Sequence, residues 1–305
     1  MRIFENANYE FISNRRRAYV FSAILLVLSL GSLVVRGLEM GIDFQGGMEF
    51  VIETDQLLNP VEVRNQLTQP LGIEPEVKTF GTNTNQMLIR TSAEGDISDV
   101  QTAITEGVSA SFAGSNPTVI KTDIVGPRFA EDLKRGAIWS VLGSLFIIFI
   151  YILIRFEWRF GAGAVAALFH DITITLGLFS ILSGIVPFSL QIDQAIIASF
   201  LTIVGYSLND TVVVFDRIRE YSNLFKTEAY EKLVNRSINN TLSRTIVTSG
   251  TTLLVVTVLF IFGGEVLRGF AFALIVGVMI GTYSSIFVAS PVVVELRLRA
   301  AAGRA

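Results

Sequence analysis

The sequence has no cysteine and a single histidine, His170, in 305 residues. Disulfides, thiolate catalysis and thiolate metal sites are therefore excluded. So are the zinc constellations that need two or three histidines. Charge is scarce as well: 17% of residues are Asp, Glu, Lys or Arg, against about 25% in soluble domains. The net charge of -3 offers little to a polyanion, so no nucleic acid partner is expected. Neither is a metal or a cofactor. What fills the chain instead is apolar: 51% of residues are hydrophobic and 23 are Phe. Most hydrolase machinery is gone before any motif is read.

A bilayer core about 30 Å thick takes about 20 apolar residues of helix. Six segments supply them: 18–35, 136–154, 160–186, 194–215, 245–264 and 269–294. The first follows Arg15, Arg16 and Arg17, but it is long for a signal sequence and lacks a small-residue cleavage site, so it reads as a retained anchor. The expected order is an N-terminal piece 1–17, span one, a domain 36–135, five spans within 136–294 and a tail 295–305. The side holding both termini carries 15 of the 24 Lys and Arg, which predicts that both termini are cytoplasmic. Loop 36–135 holds 15 Asp and Glu against 8 Lys and Arg, and is expected outside.

Within that loop, strands are expected at 47–54, 76–81, 86–91 and 118–125, with helices at 60–71 and 97–112. Alternation in Met87-Leu88-Ile89-Arg90 and helical spacing of Val100, Ile104 and Val108 carry the reading. A βαββαβ order predicts a ferredoxin-like α+β domain. The fold class is thus a polytopic helical membrane protein of six spans, with one external α+β domain between the first and second. A short amphipathic helix is expected over 227–240, with Tyr230, Leu233, Val234 and Ile238 on one side. Gly161, Gly163, Gly177, Gly184 and the pair Gly277 and Gly281 read as places where helices approach closely.

An ionisable residue at the bilayer centre costs about 2.5–3.5 kcal/mol on insertion scales, so it marks function unless shown otherwise. Asp210 lies about two turns before Asp216, roughly 10 Å inside the membrane, on a stripe with Ser199, Thr202 and Tyr206. Arg244 opens the fifth span and shares a helix face with Thr248. A guanidinium stays charged, so ionised Asp210 can pair with Arg244 and protonated Asp210 cannot. The competing readings are a boundary aspartate wetted by headgroups and a snorkelling arginine. His170 and Asp171 sit in mid-span, either as a proton relay or as a hydrogen-bonded pair joining helices. Asp171 with Asp210 would also suit an intramembrane aspartyl protease, although Ser-Leu-Asn precedes Asp210 where that class expects Gly-x-Gly.

Three stretches resemble the SecD/SecF family of protein-export membrane proteins, in the RND superfamily. They are Gly41-Ile42-Asp43-Phe44-Gln45-Gly46-Gly47, the run from Ser207-Leu208-Asn209-Asp210-Thr211 to Glu220, and the run Asn240 to Ser249. The resemblance implies a subunit of the Sec translocon in a bacterial inner membrane, pairing with SecD beside the SecYEG channel. It implies that proton-motive force promotes late translocation of preproteins while SecA spends the ATP, so no ATPase or hydrolase site is expected here. By motif, Asp210 would take the proton and Arg244 would be its cationic neighbour, with Asn209 and Thr248 nearby. Gly41, Asp43, Gly46 and Gly47 would form the junction of the external domain. A small-molecule exporter half of the RND kind is the alternative.

Overall fold

The computed structural model describes residues 8–80, 85–93, 95–186 and 188–302. Span one is α1 (Arg15–Val35). A one-turn helix α2 (Ile42–Gln45) then leads into the α+β domain: β1 (Gly47–Glu53), α3 (Pro60–Leu71), β2 (Glu76–Thr79), β3 (Gln86–Thr91), α4 (Ile97–Ser111) and β4 (Thr118–Val125). Span two is α5 (Pro127–Arg155), span three α6 (Trp158–Leu182) and span four α7 (Gln194–Leu224). Span five is α8 (Tyr230–Phe262). Span six comprises α9 (Glu265–Ser284), a π-helical turn (Ser285–Ala289) and α10 (Ser290–Ala302). Among the described residues, six helices are long and apolar enough to cross a membrane.

In the domain the strand order is β2-β3-β1-β4 and all neighbours are antiparallel, as the ferredoxin-like reading requires. Period-two alternation divides the residues. Phe50, Ile52, Met87 and Ile89 face the helices and pack on Val63, Leu67, Val100, Ile104 and Val108. Asn59 caps α3 by accepting from the Val61 amide at 3.0 Å, and Gly72 ends it in the left-handed region at φ 68°. The second strand is shorter than expected, ending at Thr79, and Gly81 lies outside the described residues.

The opposite alternation carries polar residues. Glu49, Arg90 and Glu76 are cross-strand partners in a row, on the face turned away from the domain helices. Close-packed bundle contacts depend on glycine. A Cβ on Gly177 of α6 would overlap Ser29 of α1, and one on Gly277 of α9 would overlap Ile203 of α7. A Cβ on Gly163 would lie 2.7 Å from the Ala289 carbonyl in the π turn. The expected helix over 227–240 is not separate: α8 runs 33 residues unbroken, about 50 Å, so its first turns extend beyond the bilayer core. The fourth span likewise continues past Asp216 to Leu224.

One end of the bundle gathers the segments expected to be cytoplasmic. Arg15 at the start of α1 pairs with Glu231 of α8 and Glu295 of α10, each at 2.9 Å. Arg155 at the end of α5 pairs with Asp216 of α7 at 2.9 Å. The α+β domain stands at the other end.

Gly47 has φ 113°, and a Cβ there would lie 2.7 Å from the Thr91 carbonyl. Gly47→Val should therefore destabilise the domain by about 1–3 kcal/mol, seen as earlier proteolysis between β1 and β4. Gly136→Ala, with nothing within 4 Å, should leave proteolysis unchanged.

Candidate functional site

Two polar centres stand out, one inside the bundle and one where the domain meets it. In the first, Asp210 is 7% exposed and its carboxylate is held by hydroxyls. Thr245 Oγ1 of α8 donates to Oδ1 at 2.8 Å, and Ser285 Oγ of the π turn lies 3.4 Å from Oδ2. Asp171, 1% exposed, accepts at Oδ2 from Ser207 Oγ of α7 at 2.5 Å and Ser284 Oγ of α9 at 2.7 Å. Its Oδ1 lies 2.9 Å from His170 Nδ1, and His170 Nε2 lies 3.1 Å from Ser22 Oγ of α1. The consecutive serines 284 and 285 thus serve two carboxylates. The π turn that begins at Ser285, its carbonyl accepting from Ser290 Oγ at 2.8 Å, sets their directions.

Arg244 precedes Thr245, so it lies at the depth of Asp210, yet its side chain is exposed on the outer face of α8. Among the described residues, neither Asp210 nor Arg244 forms an ion pair within 4 Å. Asn209 and Thr248 are also exposed, Thr248 Oγ1 donating to the Arg244 carbonyl at 2.5 Å. The stripe expected on α7 is only half buried: Ser199 and Asp210 face inward, whereas Thr202 is exposed. Its inner line runs through Ser207 instead, one turn before Asp210. Ser207, Ser284 and Ser285 were not singled out by sequence reasoning. Ser207 was findable from its i, i+3 spacing to Asp210; the other two depend on the π turn. The Tyr206 and Thr211 hydroxyls are buried without a partner among the described residues.

The second centre is built by the segment 39–47. Gly41 N–H donates to the Ile192 carbonyl at 2.7 Å and Ile192 N–H to the Glu39 carbonyl at 2.8 Å, a two-rung parallel bridge with the loop before α7. A Cβ on Gly41 would approach Ile192 O to 3.0 Å, which accounts for the glycine. Asp43 accepts from the Gln194 amide at 2.9 Å, so it caps α7 rather than its own short helix. Asp193 caps the same end, accepting from the Ile196 amide at 2.7 Å; both carboxylates face the positive end of the α7 dipole. Gly46 at φ 75° and Gly47 then turn the chain into β1.

Arg90 locks this contact. It is 6% exposed, pairs with Glu49 at 2.7 Å and Glu76 at 3.3 Å, and donates to Gln191 and to the Met40 carbonyl. Gln191 in turn donates to Glu39 at 2.6 Å, as does Ser183 at 2.6 Å, and Lys78 pairs with Glu39 and Glu76. Burial, with the Arg90 guanidinium adding to it, pushes the Lys78 ammonium down to about 8. A cavity of about 240 Å³ lies beside this cluster, between Lys121 and Asp123 of β4 and Asp193.

Comparison with known proteins places this architecture. The C-terminal model of SecD/SecF protein export membrane proteins matches residues 105–299, and that of the SecD/SecF GG motif matches residues 31–56. The chain is 69% identical over 304 residues to protein translocase subunit SecF of Rhodothermus marinus, covering 100% of this chain and 98% of that one. It is 37% identical to SecF of Escherichia coli O157:H7 over 95% of this chain and 88% of that one. The crystal structure of SecDF, a translocon-associated membrane protein from Thermus thermophilus, superposes with a TM-score of 0.85 at 36% identity, over 97% of this chain and 40% of that one. SecDF in its super-membrane-facing form gives 0.71 at 35% identity, over 98% and 40%. This is a multi-pass membrane protein of the export class. The chain belongs to the SecD/SecF family, among its SecF protein translocase subunits.

Arg90→Ala would leave the nearly buried Glu49 without its cation, an expected loss of about 3–5 kcal/mol read as a lower thermal midpoint in detergent. Arg90→Lys should recover only part, since an ammonium cannot fork between two carboxylates. Docked Lys78 holds its proton less tightly than a free lysine, so the unfolded chain binds more protons between about 8 and the ordinary lysine range. Stability should rise with pH across that window, and Lys78→Met should flatten the midpoint-versus-pH curve there.

Proposed function

We propose that this chain works as one half of a proton-driven export unit: it pairs with SecD and promotes late translocation of preproteins through SecYEG across a bacterial inner membrane. One observation carries the reading. Arg244 is fixed at the depth of the buried Asp210 by the Thr245 bond, yet it is exposed, as are Thr248 and Thr251 of α8 and Asn209 of α7. An arginine and a polar row on the outer surface of two spans are costly against lipid. A second bundle covering α7 and α8 removes that cost and gives Arg244 a polar environment. SecDF chains carry this fold within a longer chain, of which this one spans 40%, which supports SecD as that second bundle.

Asp210 is the protonatable group. One proton crossing 100 mV supplies about 2.3 kcal/mol, enough to bias a two-state equilibrium by between one and two decades. The differing likeness to two SecDF forms, 0.85 and 0.71 at nearly equal identity, supports an architecture with more than one arrangement. Helix α7, carrying Asp210 and capped by Asp43, links the proton site to the domain that meets the emerging chain. Both termini lie in the cytoplasm and the domain outside, in keeping with the basic residues gathered at the other end. ATP is consumed by SecA, and no hydrolytic step is assigned here. The protease reading is disfavoured because Asp171 and Asp210 bind different hydroxyl sets and share none, whereas a catalytic dyad shares one proton.

Asp210→Asn and Arg244→Ala should each abolish proton-driven stimulation of preprotein export in SecD-containing proteoliposomes while the protein still inserts. Full stimulation by either variant would refute the proton-coupling role.

A further inference from the structure

His170 and Asp171 are buried on α6 and have no part in the reading above. The hydrogens around them can be counted. A carbonyl only accepts, so the 3.0 Å contact of Tyr283 Oη with Ala18 O uses the one tyrosine hydrogen. The 3.1 Å contact of Tyr283 Oη with Ser22 Oγ then uses the one serine hydrogen. Ser22 has none left for His170 Nε2, 3.1 Å away, so Nε2 is the donor there. Across the ring, Nδ1 lies 2.9 Å from Asp171 Oδ1, and that contact also needs a hydrogen. A neutral imidazole beside an ionised carboxylate supplies only one of the two.

We propose that His170 and Asp171 form a second proton-binding site in the bundle, holding one proton beyond neutral histidine and ionised aspartate in this arrangement. Written as imidazolium and carboxylate or as imidazole and carboxylic acid, the pair is then neutral overall, the charge state that a bilayer interior favours. The groups facing it are Ser22 from α1, Ser207 from α7, and Tyr283 and Ser284 from α9; Asp210 follows one turn beyond Ser207. Among the described residues, no lysine or arginine pairs with either carboxylate.

When the proton passes to water, Nδ1–H stays with Asp171 and Nε2 becomes an acceptor. The Ser22 hydrogen turns to Nε2, and the Ser22 to Tyr283 bond between α1 and α9 is given up. Occupancy of the site is thereby tied to a contact between helices. Ser284 on Asp171 adjoins Ser285 on Asp210, so the two sites are linked through the π turn. That link rests on the proposed proton role of Asp210; the His170 site itself does not.

His170 is the one histidine in the chain, so isotope-labelled histidine in the full-length protein, held in lipid nanodiscs, gives a single imidazole for NMR. At neutral pH a proton on Nε2 and a strongly hydrogen-bonded proton between Nδ1 and Asp171 are expected. Tyr283→Phe frees the Ser22 hydrogen and should raise the ratio of the Nδ1–H neutral form by about five- to tenfold. Asp171→Asn should remove the shared-proton signature. An unprotonated Nε2 in the native chain at neutral pH, or a Tyr283→Phe spectrum identical to native, would overturn the site. An Asp210→Asn spectrum identical to native would overturn the link alone. Export is not read in this experiment, so failure of the export role and failure of the site are told apart.

Discussion

A carboxylate that remains inside a bilayer must find its hydrogen-bond donors within the protein, because lipid offers none. Asp171 and Asp210 find theirs in the short side chains of Ser207, Thr245, Ser284 and Ser285. A serine hydroxyl reaches a neighbouring helix only where the backbones nearly touch. The glycines follow from that requirement: Gly281 lies against Ser207, Gly277 against Ile203, and Gly163 against the Ala289 carbonyl of the π turn. The π turn follows too, since Ser284 and Ser285 are adjacent yet reach carboxylates on α6 and α7 respectively. Small residues, hydroxyls and the irregular turn are therefore consequences of keeping two acids in the membrane.

Helix α7 carries this constraint to the end of the bundle where the domain stands. Its first amide is capped by Asp43 from the glycine-rich segment, its middle bears Ser207 and Asp210, and Asp216, toward its other end, pairs with Arg155. Asp210 lies sixteen residues on from the capped Gln194, about 24 Å of continuous helix. The domain is fixed to the same end by backbone bonds through Gly41 and by the Arg90 cluster. A shift of α7 at Asp210 that reaches its capped end must then move the domain with it or break the hydrogen bonds through Asp43, Gly41 and Gln191.

Sequence reading reached the fold because its signals are local. Hydropathy marked six spans, and alternation in Met87-Leu88-Ile89-Arg90 set the sheet faces. It reached Asp210, Asp171 and His170 because each is anomalous in its own segment. It did not reach Ser284, Ser285 or the outward turn of Arg244. A serine is ordinary in a membrane helix, and a π turn inserts one residue that no periodicity over a single span reveals. Arg244 and Thr248 do share a face, as their spacing requires; which face meets the bundle is fixed by the partners of α8, not by α8. Asp43 was legible as part of the glycine-rich junction, but the helix it caps begins 151 residues later, beyond any local pattern.

The donors of Asp210 bear on how such a site could work. A guanidinium only donates and is always charged, so packed against Asp210 it would stabilise the ionised form and oppose protonation. A hydroxyl both donates and accepts, and serves a carboxylate or a carboxylic acid with a rotation of one bond. Thr245 and Ser285 therefore allow Asp210 to change charge without repacking the bundle. Arg244, at the same depth but on the outer face, feels that charge at a distance; a direct ion pair requires α8 to rotate or a partner to bring an acid to it. On the proposed reading this separation has a direct consequence: binding of the proton and the movement it drives are assigned to different surfaces of the same pair of helices.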